Sequence, residues 1–127
     1  MPAPGPGPAP RARGALRALG VDGREVAPVV VADTYLTRLR GMLGRRPLPP
    51  ALLLRPAGSV HGMGMREPLD VAGLDADGAV LDVGVLRPFG LTPSVRGVTQ
   101  VLEAPVGSFA RWGLVVGSVV TVGDAAP

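Results

Sequence analysis

Apolar and polar positions follow two different rhythms along this chain. From Leu16 to Leu19 and again from Val26 to Val31, apolar runs flank the cluster Gly20-Val21-Asp22-Gly23. That pattern predicts a hairpin or two short strands, best expressed in the β-branched run Val29-Val30-Val31. The period then becomes helical. Tyr35, Leu36, Leu39, Met42 and Leu43 recur at i, i+1, i+4, i+7 and i+8 and form one stripe, with Arg38 and Arg40 on its opposite edges. Asp33 or Thr34 is positioned to cap this helix, expected over 34–43, while Gly44 ends it and Pro47, Pro49 and Pro50 prevent its resumption.

Beyond residue 50 the apolar segments shorten and are punctuated by Gly and Pro, which predicts antiparallel strands and not βαβ units. Strands are expected near 51–55, 59–63, 70–75, 79–86, 97–103 and 118–122. The clearest hairpin runs from Val71 to Val85, with Asp75-Ala76-Asp77-Gly78 as its turn and Leu81, Val83 and Val85 on one face. Ser108 to Trp112, after Pro105 and Gly107, reads as a helical turn whose Phe109 and Trp112 cover the end of the sheet. Residues 1–14, rich in Pro, Gly and Ala, bury too little to offset the entropy of ordering and are expected to be a disordered tail. The expectation is a single β-rich domain over 15–124, mainly β with an α+β element: an antiparallel β-sandwich or half-open barrel with one early amphipathic helix and a short late helical turn.

Composition narrows the chemistry. The 13 basic residues are all arginine, and lysine, isoleucine, asparagine and cysteine are absent. Arginine replacing lysine, with 19 Gly and 15 Pro, fits a G- and C-biased coding composition, so the basic balance is a weak argument for nucleic acid. The arginines are scattered and only four aromatics are available for stacking, so no nucleic-acid partner is expected. Without cysteine there are no disulfides, thiolate nucleophiles or cysteine-ligated metals, and without lysine no Schiff base. No run approaches the ~18 apolar residues of a membrane span, and the start lacks a secretory apolar core. A cytoplasmic protein without cofactor is expected, a monomer or weak homodimer with a small molecule or a protein as partner.

The densest chemistry lies in residues 60–75, VHGMGMREPLDVAGLD, which hold the only histidine, three of the ten acids and two of the four methionines. Three motifs in order, Ala32-Asp33-Thr34 leading to Arg38-Leu39-Arg40-Gly41-Met42-Leu43-Gly44-Arg45, then Val60 to Val71, then Val101-Leu102-Glu103-Ala104-Pro105-Val106-Gly107, resemble the bacterial and archaeal domain of unknown function 192. The likeness covers about Val29 to Val122 and is closest to a subgroup with histidine in the second motif. It implies a mostly β sandwich or barrel with an early helix and implies no activity. Glu67 stands where that family usually has an apolar residue, Gly73 where it has an aromatic, and Ser118 where an acid follows the glycine.

His61, Arg66, Asp70, Glu103, Arg38 and Arg40 are the candidate ligand-binding residues. His61 is either a hydrogen-bonded packing residue or a base that needs a charged neighbour such as Glu67, Asp70 or Glu103. Asp70 and Glu103 end apolar runs, where a partly buried carboxylate must find an arginine or several backbone donors to offset desolvation. They form either a structural lock or one wall of a binding cleft. A non-enzymatic binding or accessory module is the leading expectation. A hydrolase-like enzyme using His61 with Asp70 or Glu103 is the alternative. A second alternative is Cu(I) held by His61, Met63 and Met65, which alternate on an extended segment and offer soft donors. Asp75 and Asp77 do not make an EF-hand, since Leu86 occupies the bidentate position, and Ser59 with His61 lacks an orienting acid.

Overall fold

The computed structural model describes residues 16–32, 49–59, 67–88, 90–92 and 94–125. Seven strands and one short helix are found among them: β1 (Leu16–Val21), β2 (Arg24–Ala32), β3 (Leu52–Leu54), β4 (Leu69–Leu74), β5 (Val80–Leu86), β6 (Gln100–Pro105), α1 (Ser108–Trp112) and β7 (Val120–Ala125). The strands form one sheet in the order β5-β4-β6-β3-β2-β1-β7. The β1–β2 hairpin arises where expected. Asp22 and Gly23 both take positive φ, 51° and 84°, the backbone of a two-residue turn whose twist matches its strands.

The sheet is mixed, which corrects the purely antiparallel expectation. β2 and β3 run parallel, Val30 opposite Leu52 and Ala32 opposite Leu54. Parallel neighbours cannot be joined by a tight turn, so the chain between them has to cross back along the sheet. The expected helix at 34–43 falls in that connection and lies outside the described residues, as do residues 60–63 of the expected 59–63 strand and the 1–14 tail. The expected 97–103 strand begins later, at Gln100, because Arg96 and Gly97 form a turn, with Gly97 at φ 91°.

Two apolar layers flank the sheet. On one face, here the helix face, Leu53, Ala72, Leu74, Leu102 and Ala104 pack with Phe109, Trp112 and Leu114. Phe109 and Trp112 meet with ring centroids 5.8 Å apart, as their i, i+3 spacing implied. On the other face Val30, Leu52, Leu54, Leu69, Val71 and Val101 form a second cluster, with Val98 packed against it. A bulge between Gly73 and Leu74 breaks the step of the β4–β5 hairpin. Val83 and Val85 stay in register with Ala72 and Asp70 but are exposed, and Leu81 is carried against Gly97.

The first residues of β5 and β7, the two outer strands, are tied together. Ala79 and Val119 form a bridge, Val80 N–H donates to the Ser118 carbonyl at 2.9 Å, and Val120 N–H donates to the Gly78 carbonyl at 2.8 Å. Asp75 organises the turn that enters this seam, its Oδ1 accepting from the N–H groups of Asp77 and Ala79, both at 2.9 Å. Gly78 is obligatory there: its φ is 91°, and the place of a side chain is filled by the Val120 carbonyl oxygen. Replacing Gly78 by Ala is expected to lower unfolding free energy by more than ~1 kcal/mol in a urea titration, through strain and loss of the seam. An unchanged midpoint would show that the seam contributes nothing to folding.

Candidate functional site

The two acids singled out from the sequence lie on adjacent strands, and their register separates them. Asp70 on β4 stands opposite Ala104 of β6, whereas Glu103 stands opposite Val71. Paired residues share a face and successive residues alternate, so Asp70 points to the helix face and Glu103 to the other. The two carboxyls therefore do not share one cleft. His61, Arg66, Arg38 and Arg40, and the Met63 and Met65 of the soft-metal alternative, lie outside the described residues. Among the described residues no three His, Cys, Asp or Glu side chains gather as a metal site would require.

Asp70 is a structural lock. It is 8% exposed, and its Oδ2 accepts from the N–H of Gly107 at 3.0 Å and of Phe109 at 3.1 Å. Gly107 is the N-cap of α1 and has no side chain to cap with, so a residue 37 positions earlier supplies the acceptor. The backbone donors that a buried carboxylate requires are thus found at a helix start, in place of an arginine. The other end of α1 is held as well. Arg24 Nη2 donates to the Trp112 carbonyl at 2.8 Å, a contact across 88 positions for which the sequence carried no signal. Arg111 Nη2 adds a bond to the Ser108 hydroxyl within the helix.

Glu103 sits in the middle of the sheet. On β6 it is flanked by Leu52 of β3 and Val71 of β4, and Val101 precedes it on the same face. It is 3% exposed, and burial alone raises its pKa from 4.5 to about 7. No donor among the described residues reaches its carboxyl, and none of their fully enclosed side-chain polar atoms is left without a hydrogen bond. A carboxyl that keeps part of its proton near pH 7 in apolar surroundings can donate or accept a hydrogen bond, or ionise fully when a positive charge arrives.

Each family-atypical residue has a local account. Gly73 leaves the space above it to Val98, whose methyl would lie 2.8 Å from an added side-chain carbon, so valine fills the room of the usual aromatic. Ser118 keeps an acceptor where an acid is common, its hydroxyl accepting from Val115 N–H at 3.0 Å. Glu67 is exposed and needs no apolar contact.

The chain is similar to proteins of one family. The DUF192 family, described as "Uncharacterized ACR", matches residues 18–122. A UPF0127 protein of Pyrococcus furiosus is 31% identical over 101 residues, which cover 75% of this chain and 87% of that protein. A UPF0127 protein of Pyrococcus abyssi is 31% identical over 84 residues, 62% of this chain and 72% of its own. Among solved structures, a candidate transcription regulator of Sinorhizobium meliloti has a TM-score of 0.73 at 22% identity, covering 86% of this chain and 95% of that one. A Novosphingobium aromaticivorans protein of unknown function has a TM-score of 0.69 at 23% identity, covering 84% and 82%. At these identities the two structures share the fold.

Asp70→Ala is expected to lower stability by about 1 to 3 kcal/mol, and Asp70→Asn by less, because the amide oxygen keeps an acceptor for α1. Urea denaturation at pH 7 measures both, and equal losses in the two variants would count against the lock. Glu103 predicts the shape of the pH profile. Between its ordinary 4.5 and about 7 the unfolded chain releases this proton while the folded chain holds it. Stability from this group therefore falls as pH rises through that window, by ~3 kcal/mol in all, and is level on either side. Glu103→Gln is expected to match the parent at pH 4 and exceed it at pH 8 by up to that amount. A variant less stable than the parent at pH 8 would reveal a hidden partner for the carboxylate.

Proposed function

Since this chain belongs to the DUF192 family, whose model matches residues 18–122, we propose that it is a non-enzymatic ligand-binding or accessory module whose site is the Glu103 face of the sheet. One observation carries this reading: a buried carboxyl at the centre of an apolar face, with no hydrogen-bond partner among the described residues. Such a group weakens the fold, and a leucine or glutamine would serve packing better. A destabilising polar group persists where binding uses it. Asp70 is not part of this site, because its carboxylate is already committed to α1. The bridge joining the outer strands supports the half-open barrel form of the expected architecture, and the 34–43 stripe remains our proposed early helix.

His61, Arg66, Arg38 and Arg40 stay in the proposal as groups that could border the face, on the sequence argument alone. Among the described residues no helix is long and apolar enough to cross a membrane. A cytoplasmic monomer or weak homodimer completes the proposal. The regulatory role named for the Sinorhizobium meliloti protein is not carried over, since scattered arginines and four aromatics make a poor nucleic-acid surface.

A second reading, a hydrolase-like enzyme with Glu103 as general acid and His61 as base, draws on the same carboxyl, because a proton held near neutral pH suits acid catalysis. One measurement separates the two. Methyl-labelled protein is titrated at pH 7 with a set of small polar and apolar fragments. Shifts are expected to gather at Leu52, Leu69, Val71 and Val101, with Leu114 on the helix face unmoved. Shifts confined to the helix face would end the binding reading. A fragment consumed during titration, and spared in Glu103→Gln, would favour the enzyme.

A further inference from the structure

We propose that the outer edge of β5 is a self-pairing surface: two copies of this chain join their sheets through antiparallel β5 strands, about a two-fold axis at Gly84. This pairing is independent of the Glu103 face, and its failure leaves that reading untouched.

The backbone of β4 fixes which groups the edge offers. Leu74 gives its carbonyl to the Thr99 N–H, on the β6 side, at 2.9 Å. Backbone direction alternates along a strand, so Ala72 and Asp70 also turn to β6, while Gly73, Val71 and Leu69 turn to β5. Their partners Asp82, Gly84 and Leu86 face inward. Val83 and Val85 therefore turn their N–H and C=O groups outward, and no described residue bonds to them. The open stretch is bounded at both ends. Val80 is held by Gly117 and Ser118, and the Arg87 carbonyl accepts from Gly90 N–H at 2.8 Å.

Outer strands are commonly guarded by a charge, a proline or a covering segment. Here Val83, Gly84 and Val85 are all exposed, the valines at 37% and 48%. The other outer strand, β7, differs: Thr121, Gly123 and Asp124 are its exposed residues, and Arg17 Nε donates to the Gly123 carbonyl at 2.9 Å.

Symmetry and charge identify the occupant as a second copy. With Gly84 opposite Gly84 of the second copy, Val83 stands opposite Val85 and Val85 opposite Val83, and every outward group of both valines is satisfied. Moving the axis to Val83 or Val85 sets the other valine against Leu81, which the bulge skips, or Arg87, whose carbonyl is taken. The glycines form the close pair, with Cα atoms about 4.5 Å apart. Asp82 then lies one position from Arg87 of the second copy, about 6 Å between Cα atoms. Like charges are kept apart, the two Asp82 by about 14 Å and the two Arg87 by about 20 Å along the strands. One short strand from each copy buries far less than the ~1,200 Å² of stable complexes, so the dimer is weak and reversible.

The chain has no cysteine, so a single introduced thiol reports the axis. Gly84→Cys places its Cβ where nothing lies within 4 Å, and Leu16→Cys, at an exposed residue of β1, is the control for random collision. Under mild oxidation Gly84→Cys is expected to cross-link at least about tenfold faster than the control. Adding Val85→Pro removes one outward N–H and no bond to β4, and is expected to return that rate to the control. Sedimentation of the parent from micromolar to millimolar concentration is expected to show a reversible dimer that Asp82→Arg weakens and Asp82→Arg with Arg87→Asp restores. Equal cross-linking of Gly84→Cys and Leu16→Cys overturns the pairing. So does a parent that stays monomeric at millimolar concentration, or a dimer unchanged by Val85→Pro, which would use another surface. Should Val85→Pro fail to fold, the charge exchange decides, and a double variant that does not restore the dimer overturns the pairing.

Discussion

The register of β4 against β6 decides where every polar group at the centre of this protein points. With Asp70 opposite Ala104 and Val71 opposite Glu103, the two strands send one carboxyl to each side of the sheet. A slip of one residue would bring both acids to one face and turn Leu69 and Val71 over to the other. That alternative would place two acids in one layer and leave α1 without its cap. The observed register is favoured because each apolar residue then joins a layer and Asp70 finds two backbone donors. The two carboxyls consequently take opposite roles. One is fully committed to structure, and the other has no structural partner among the described residues.

The same logic explains how so small a helix is kept. Five residues of isolated α-helix are unstable in water, because nucleation is costly and few bonds follow it. Here Asp70 from β4 holds the first turn and Arg24 from β2 holds the last carbonyl, while Phe109 and Trp112 bury the inner side. The helix is thus held by two separate strands. Its partners make the helix face a continuous core, and the opposite face carries a second apolar cluster with Glu103 among it.

The closing seam has a comparable basis. Asp75 shapes the β4–β5 turn, Gly78 lets the Val120 carbonyl approach, and Asp22 receives the Val119 N–H at 2.8 Å from the other side. Two turns distant in sequence converge on the start of β7, so the outer strands are joined at one end, and no other described strand pairs along the rest of the β5 edge. Val83 and Val85 remain exposed along that edge, at 37% and 48%.

Alternation, turn chemistry and the Phe109-Trp112 spacing were sufficient to locate the seven described strands to within a few residues, the Asp22-Gly23 and Asp75-Gly78 turns and the late helix, because each depends on neighbours in the chain. The motif order around Asp70 and Glu103 likewise identified the family and marked both acids as unusual. The face that each occupies could not be read this way. Strand pairing is set by the sum of contacts over the whole sheet, and a shift of one residue between β4 and β6 leaves every local pattern intact. For the same reason the parallel β2–β3 pair and the reach of Arg24 to Trp112 were silent in the chain: each joins residues whose proximity exists only after folding. Linear order thus supplied the pieces and their chemistry. Packing decided which carboxyl was anchored and which was left facing an apolar layer.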